Sequence, residues 1–299
     1  MSAHVVIAGG SGLIGTALTD ALVARGDRVT RLVRRPPAHP GEVQWQPEDG
    51  VLDPRALEGA SAVVALNGAS VGRMPWTAPY RRKLLSSRLA PTTTLVAALR
   101  DLGRGAPTLV SASAVGYYGS VPGRMLTESS PAGDTFLARV CIEWEGAARQ
   151  AADVTRVALA RTAPVIHRRG VLRPLIALTS LGVGGPLGGG DQVWPWISLD
   201  DEVRALLHII DQNLDGPVNL TGPASATAND VGRALARELH RPFWLPVPAW
   251  ALRSVLSAPA ADSLLLADAD VRPTALLDSG FRFVHDTADA AVAAAVAAR

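Results

Sequence analysis

Residues 4–15 read HVVIAGGSGLIG, and the fold follows from this stretch. Val5–Ala8 is a short, wholly apolar run, the pattern of a strand buried on both faces. From Leu13 to Arg25, residues Leu13, Ala17, Leu18, Ala21 and Leu22 fall on one face of a helix. Gly9, Gly12 and Gly15 join the two in a GxxGxxG spacing. In a strand–turn–helix context, the first glycine permits the tight turn. The second lets backbone approach a pyrophosphate, and the third lets helix pack on strand. The helix N-terminus then offers free N–H groups to the anion. Gly9, Ser11, Gly12, Leu13, Ile14 and Gly15 are therefore the expected dinucleotide-binding residues, with an ordinary glycine turn as the alternative.

The end of the next strand, Arg28–Val33, discriminates between cofactors. A carboxylate there would bind a ribose 2′-hydroxyl, and arginine would accommodate a 2′-phosphate. Residues 29–35 read VTRLVRR, with no carboxylate and two arginines after the strand. A guanidinium suits phosphate through its fork of donors. Arg34, assisted by Arg35, points to NADP(H); a solvated basic loop is the other reading.

Further along, Ser61–Leu66, Thr108–Ala112 and Thr155–Leu159 read as strands. Ala90–Leu102, with Pro91 in its first turn, and Phe136–Ala152 read as helices. Such alternation predicts an α/β fold, a Rossmann-like doubly wound parallel sheet. In the second half, Gly182–Gly190 is a loop, Leu199–Leu214 and Thr227–Leu239 are helical, and Pro242–Pro248 is neither strand nor helix. Ala249–Leu266, Arg272–Leu277 and Thr287–Ala298 read as helices. We expect an NAD(P)-binding unit over 1–165, with core strands also drawn from later residues. A small C-terminal substrate lobe over 166–299 would cover one edge of the sheet.

Composition narrows the classes. The 299 residues are 48% hydrophobic with a net charge of +2, and no basic run exceeds Arg81–Arg82–Lys83, which argues against a nucleic-acid partner. Cys141 is the one cysteine, so no disulfide forms within the chain, as in a reducing compartment. It lies in an apolar helical pattern and reads as a structural thiol. There is no eighteen-residue apolar span, and the N-terminus lacks a basic leader and a cleavage site. A cytoplasmic protein without membrane attachment is expected. The six histidines show no metal-ligand spacing, and no metal is expected.

Several segments together carry a resemblance. Asn67-Gly68-Ala69, Trp76, Ser87-Arg88, Ser113-Ala114-Val115-Gly116-Tyr117-Tyr118-Gly119, Thr127-Glu128 and Trp144-Glu145 are joined by Arg161-Thr162, Gly184-Gly185-Pro186-Leu187-Gly188, Trp196-Ile197 and Gly280-Phe281. With GGSGLIG, they resemble the extended short-chain dehydrogenases/reductases, and most closely the atypical, YfcH-like branch of NAD(P)-dependent epimerases. Residues 242–299 resemble that branch's C-terminal module. The resemblance implies NADP binding and a substrate cleft between sheet and lobe. It places Leu66, Asn67 and Gly68 along the cofactor, Arg88 and Lys83 reaching it from the following helix, and Val165 near the nicotinamide. It also implies a homodimer formed through helices flanking the sheet. The chain departs from the family at Ala163-Pro164, where Gly is usual, and at Ser198, where His is usual.

Typical superfamily members pair a Tyr acid/base with a Lys four residues later. The tyrosines here are Tyr80, Tyr117 and Tyr118, and none has that lysine; the expected helix reads Phe136-Leu137-Ala138-Arg139-Val140. Ser113, at a strand end, could polarise a substrate carbonyl or merely cap the strand. Tyr117 could supply the missing acid or pack. Trp76, Tyr118 and Trp196 are candidate substrate contacts, with lobe packing as the equal alternative. Two functions follow: an NADP(H)-dependent oxidoreductase or epimerase acting on a small carbonyl or sugar-like molecule, or an NADP(H)-sensing regulatory protein without turnover.

Overall fold

The computed structural model describes residues 2–298; Met1 and Arg299, the outer ends of the two expected units, lie outside the described residues. The first half comprises β1 (His4–Ala8), α1 (Leu13–Ala24), β2 (Arg28–Val33), β3 (Glu42–Gln44), β4 (Ala62–Ala65), α2 (Ala78–Leu102), β5 (Thr108–Ala114), β6 (Met125–Leu126), α3 (Phe136–Arg149) and β7 (Val157–Thr162). There follow β8 (Val165–Ile166), α4 (Leu172–Ser180), β9 (Ile197–Ser198), α5 (Leu199–Asp211), β10 (Gly216–Leu220) and α6 (Ala228–Glu238). The chain ends with α7 (Ala249–Leu256), α8 (Ala258–Leu264), β11 (Asp270–Val271), α9 (Thr274–Asp278) and α10 (Ala288–Ala297).

Seven parallel strands form the main sheet in the order β10-β7-β5-β4-β1-β2-β3. Parallel strands need crossovers, whose helices cover both faces. Alternate residues of β1 divide accordingly. Val5 and Ile7 pack with Leu18 and Leu22 of α1 and Leu206 and Ile209 of α5. Val6 and Ala8 face Leu95 and Leu99 of α2 and Ala148 of α3. Hence β1 is apolar from Val5 to Ala8. The fold is the Rossmann-like doubly wound sheet, and its order reverses between β1 and β4, where a ligand crevice opens at the strand carboxyl ends.

Several elements differ from the sequence reading. Helix α2 begins at Ala78, twelve residues early, where Thr77 accepts the Tyr80 N–H at 3.3 Å and Pro79 occupies the first turn. Pro91 therefore lies inside the helix, buried, instead of opening it. The segment 249–266 is two helices, because Pro259 lacks the N–H needed to continue the first; Ser257 breaks them at φ +80°. The expected helix from Arg272 starts at Thr274, after β11 has paired with β6. Strand β10 was not foreseen. It runs beside β7, and with α5 it adds to the sheet from well beyond residue 165. Pro217 is tolerated there because β10 is an edge strand.

The C-terminal lobe has its own core, in which Val231 and Leu235 of α6 meet Ala291 and Val292 of α10 and Leu172 of α4. Leu276 of α9 and Phe281 pack in the sheet core beside Val218 and Leu220, so this part of the chain covers the β10 edge. Among the described residues no helix is long and apolar enough to cross a membrane.

Where α5 passes the end of β7, Glu202 is fully buried. Thr162 donates to its Oε1 at 2.8 Å, and its Oε2 has no partner among the described residues. Burial pushes this carboxyl up to about 8. The folded chain thus keeps a proton that the unfolded chain releases above an ordinary carboxyl pKa of about 4.3. Stability should fall as pH rises from about 5 to about 8 and level off beyond. Glu202→Gln should remove that decline and gain on the order of a few kcal/mol over wild type at pH 9. Urea unfolding of both proteins at pH 5, 7 and 9 checks this; parallel pH profiles would refute it.

Candidate active site

The glycine turn is built by close approach. Gly9 has φ +87°, and a Cβ there would lie 2.7 Å from the Leu66 carbonyl carbon, so β1 turns directly against the end of β4. A Cβ on Gly15 would come within contact of the Gly9 oxygen and lie 2.8 Å from Gly10 Cα, so α1 packs onto the turn itself. Gly12 is different: the nearest atom to a Cβ there is 3.5 Å away. It is exposed as the N-cap of α1, without a side-chain cap and with no acidic residue in the first turn. The positive end of the helix is thus free for an anion. Asn67, brought against the turn through Leu66, has a buried Oδ1 with no partner among the described residues.

Arg88 lies against Gly68, with Cζ 3.1 Å from where a Cβ would sit. It donates to the Leu84 carbonyl at 2.7 Å and the Ala69 carbonyl at 3.3 Å, and stacks 5.2 Å from the Trp144 ring. Burial lowers its pKa. A half-buried guanidinium whose protein acceptors are neutral carbonyls is suited to a further, anionic partner. Lys83 does not join it. Five residues separate the two on one helix, turning Lys83 about 140° from the Arg88 face, and its side chain is exposed. Val165, on β8, is half-buried and pairs with Ile197 just past the end of β7.

At the other edge, Arg34 is exposed and its guanidinium lies 3.3 Å from Glu48. Arg35 does not extend freely: it forks onto Glu42, giving one 2.8 Å bond to each carboxylate oxygen. Arg31 donates to the same carboxylate at 2.8 Å, and so does the Ala38 N–H. The Arg35 hydrogen bonds, the Ala38 N–H and the cationic surroundings hold Glu42 down to about 2. Neither Arg31 nor Glu42 was singled out from sequence; β3 is only three residues long and carries no periodic signal.

The centre of the sheet holds a buried polar network. Ser113 donates to Glu145 Oε1 at 2.8 Å, while Arg161 grips both oxygens of that carboxylate at 2.8 and 2.9 Å. Arg161 also donates to the Tyr118 hydroxyl at 2.8 Å, which in turn donates to Asn219 at 2.7 Å. Burial penalises the Arg161 cation, but hydrogen bonds to Glu145 and the proximity of Tyr118 outweigh it and raise its pKa. Burial pushes Tyr118 up to about 12 and Cys141 up to about 11, so neither is ionised near neutrality. Glu128 accepts the backbone N–H groups of Asn219 and Ala275 at 3.1 and 3.0 Å, a structural use.

These contacts correct parts of the sequence reading. Tyr118 is 0% exposed and has no surface to offer a substrate. Trp76 and Trp196 are each 3% exposed, their indole N–H groups given to the Val71 and Ala224 carbonyls, so both are packing residues. Ser113 spends its one proton on Glu145 and is left with acceptor capacity. Tyr117 remains half-buried, its ring 3.6 Å from the Arg161 guanidinium carbon. Phe136, where the acid tyrosine would stand, packs edge-on against Trp76 at 5.7 Å, and Ala260 and Leu264 of α8 join that cluster.

Comparison with known proteins gives this geometry its family. Residues 5–220 match the NAD dependent epimerase/dehydratase family. The chain belongs to that family. Residues 247–295 match a further domain of unknown function, designated DUF1731. Epimerase family protein Mb2239 of Mycobacterium bovis is 46% identical over 289 residues, covering 96% of this chain and 95% of its own. The human epimerase family protein SDR39U1 is 32% identical over 98% of this chain and all of its own. A crystal structure of human SDR39U1 with NADPH superposes with a TM-score of 0.91 at 30% identity, covering 99% of this chain and 100% of that one. The nucleoside-diphosphate sugar epimerase of Corynebacterium glutamicum gives 0.81 at 31% identity, covering 99% of this chain and 58% of that one. The similarity to SDR39U1 thus runs through 98% of this chain, the C-terminal domain included.

Glu145→Ala would leave Arg161 buried without a carboxylate. Loss of one partner from such a pair costs about 3–5 kcal/mol. Urea unfolding should show a loss of that size; a cost below about 1 kcal/mol, as for an exposed pair, would contradict the assigned network.

Proposed function

We propose that this epimerase-family chain binds NADP(H) on the Gly9–Gly15 turn. We further propose that it acts as an oxidoreductase or epimerase on a small carbonyl or sugar-like substrate, without the Tyr–Lys dyad. The observation that carries the reading is the exposed N-terminus of α1 at Gly12, without a side-chain cap, on a turn whose Gly9 packs against Asn67, a residue with an orphaned Oδ1. Phosphate at such a terminus meets aligned N–H groups and the positive helix end. The NADPH present in the SDR39U1 crystal structure supports the same choice.

The residues present fit the group. Leu13 and Ile14 would hold the pyrophosphate through backbone N–H groups, the Gly12 N–H being given to the Gly9 carbonyl at 3.1 Å; Asn67 and Arg88 would line the far side, and Arg34 would reach a 2′-phosphate. When bound, NADP(H) supplies or accepts a hydride. The protein's task is then to exclude water and to hold a proton opposite. Tyr117 is the candidate proton donor, because it is the half-buried phenol at the carboxyl end of β5, with a cation stacked on its ring. Ser113, on β5, is tied to Glu145 as a donor and keeps only acceptor capacity. One observation favours the second reading, an NADP(H) sensor without turnover: Phe136 and Val140 fill the dyad positions with apolar side chains, and Phe136 is engaged by the C-terminal module.

Titration of the purified protein with NADPH and NADH, followed by nicotinamide absorbance against a panel of carbonyl and nucleotide-sugar substrates, separates these readings. Tight NADPH binding without turnover on any substrate would favour the sensor; binding of neither nucleotide would end both. Arg34→Asp should weaken NADPH more than NADH, by about tenfold or more, since a charged hydrogen bond contributes about 1.5–3 kcal/mol. Tyr117→Phe should reduce turnover by about 10²-fold or more with little change in NADPH affinity, the effect of removing a general acid; undiminished turnover would exclude it.

A further inference from the structure

Sequence reasoning assigns Arg34, assisted by Arg35, to the cofactor, but the structure draws Arg35 away from Arg34 and into a cluster with Arg31. Glu42 stands at the start of β3, the outermost strand, with its side chain fully covered. Arg31 comes to it from β2 and Arg35 from the loop beyond; His39 lies 3.5 Å from the same carboxylate. Every direction around the two oxygens is filled, by Arg31, by both arms of Arg35 and by the Ala38 N–H. Two guanidiniums therefore share one negative charge, and at least one unit of positive charge is left over.

That surplus lies beside the glycine turn. The Arg31 side chain runs along Gly10, with Cδ 3.2 Å from where a Cβ would be, so it borders the turn on its β2 side. Neither guanidinium is sealed in: the Arg31 side chain keeps 32% of its surface exposed and that of Arg35 keeps 54%. The carboxyl end of β2 is where a doubly wound sheet meets the ribose that carries a 2′-substituent. Two guanidinium planes held by one buried carboxylate make a pre-ordered cationic corner, and pre-ordering reduces the entropy lost when an anion binds.

We propose that Glu42 is a positioning residue for cofactor discrimination, its buried carboxylate holding Arg31 and Arg35 as a paired cationic clamp for a ribose 2′-phosphate. The inference rests on the NADP(H) reading above. It differs from that reading in placing selectivity on a carboxylate that never touches the cofactor, on Arg31, and on Arg35 as Arg31's partner in place of an assistant to Arg34. The depressed pKa of Glu42 is consistent: the clamp stays charged throughout the range in which nucleotides are studied.

The test is the ratio of NADPH to NADH affinity, supported by 2′,5′-ADP against 5′-AMP as truncated probes. Glu42→Ala, Arg31→Ala and Arg35→Ala should each lower the NADPH-to-NADH preference at least tenfold. The preference for 2′,5′-ADP over 5′-AMP should fall in step. If Glu42 acts through the arginines, adding Glu42→Ala to the Arg31→Ala/Arg35→Ala double variant should change the ratio by less than about twofold, the behaviour expected of coupled sites. A role confined to folding would shift thermal stability and both nucleotides alike and leave the ratio unmoved, which would overturn the proposal. Should Glu42→Ala fail to fold, the Arg35→Ala variant decides, since Glu42 then keeps Arg31 and the Ala38 N–H. A wild-type protein that prefers NADPH while these variants keep its preference would refute the clamp alone. A wild type without any preference would refute the cofactor reading and the clamp with it.

Discussion

Arg161 carries a full charge into the middle of the sheet, at 1% exposure, and the structure around it is arranged to make that tolerable. Its guanidinium is matched to both oxygens of Glu145, which α3 delivers from across β5 and β7. The remaining donors reach the Tyr118 hydroxyl and the Glu128 backbone carbonyl. Tyr118 hands its proton on to Asn219 of β10, so one ion pair joins β5, α3, β7 and the last strand of the sheet. A buried pair of this kind gains little over a well-packed apolar one, but leaving either partner alone is costly. The network therefore acts as a constraint on register more than as a source of stability.

That constraint shapes the substrate side. In relatives with a Tyr–Lys dyad the reacting proton comes from α3; here the corresponding positions, Phe136 and Val140, are apolar. Phe136 supports Trp76, and Leu256, Ala260 and Leu264 from the C-terminal module complete the cluster. The missing dyad and the added module are thus two aspects of one rearrangement: the surface that would hold the acid is the surface on which the module rests. Ser113 keeps its place at the end of β5, but its proton belongs to Glu145. Tyr117 is the phenol still facing outward from this region.

The cofactor side depends on the opposite quality, positive groups left without enough countercharge. The end of α1 has no cap, Arg88 has neutral carbonyl partners, and Arg31 and Arg35 divide a single carboxylate. Each is separately an ordinary local arrangement. They stand at separate places around the carboxyl ends of β1, β2 and β4, which suits the proposed ligand, a dinucleotide with more than one phosphate.

The sequence by itself determined the turn and the sheet that follows from it. Gly9 and Gly15 are legible because no other residue meets the contacts they make, and β1 is legible because burial on both faces demands apolar residues from Val5 to Ala8. The same local logic revealed the absent dyad. Tertiary structure alone decided the rest. Pro91 could sit within α2 because Thr77 and Pro79 had already started the helix, a signal present but outweighed by the proline. Strand β10, with a proline and an asparagine in five residues, is stable only as the edge beside β7, with Asn219 paired to Tyr118 from a hundred residues away. Whether Ser113 would donate to a substrate or to Glu145, and whether Trp76 and Trp196 would wall a pocket or fill a core, depends on which partner lies within 3 Å. That distance is set by packing between segments far apart in the chain, and local pattern carries no record of it.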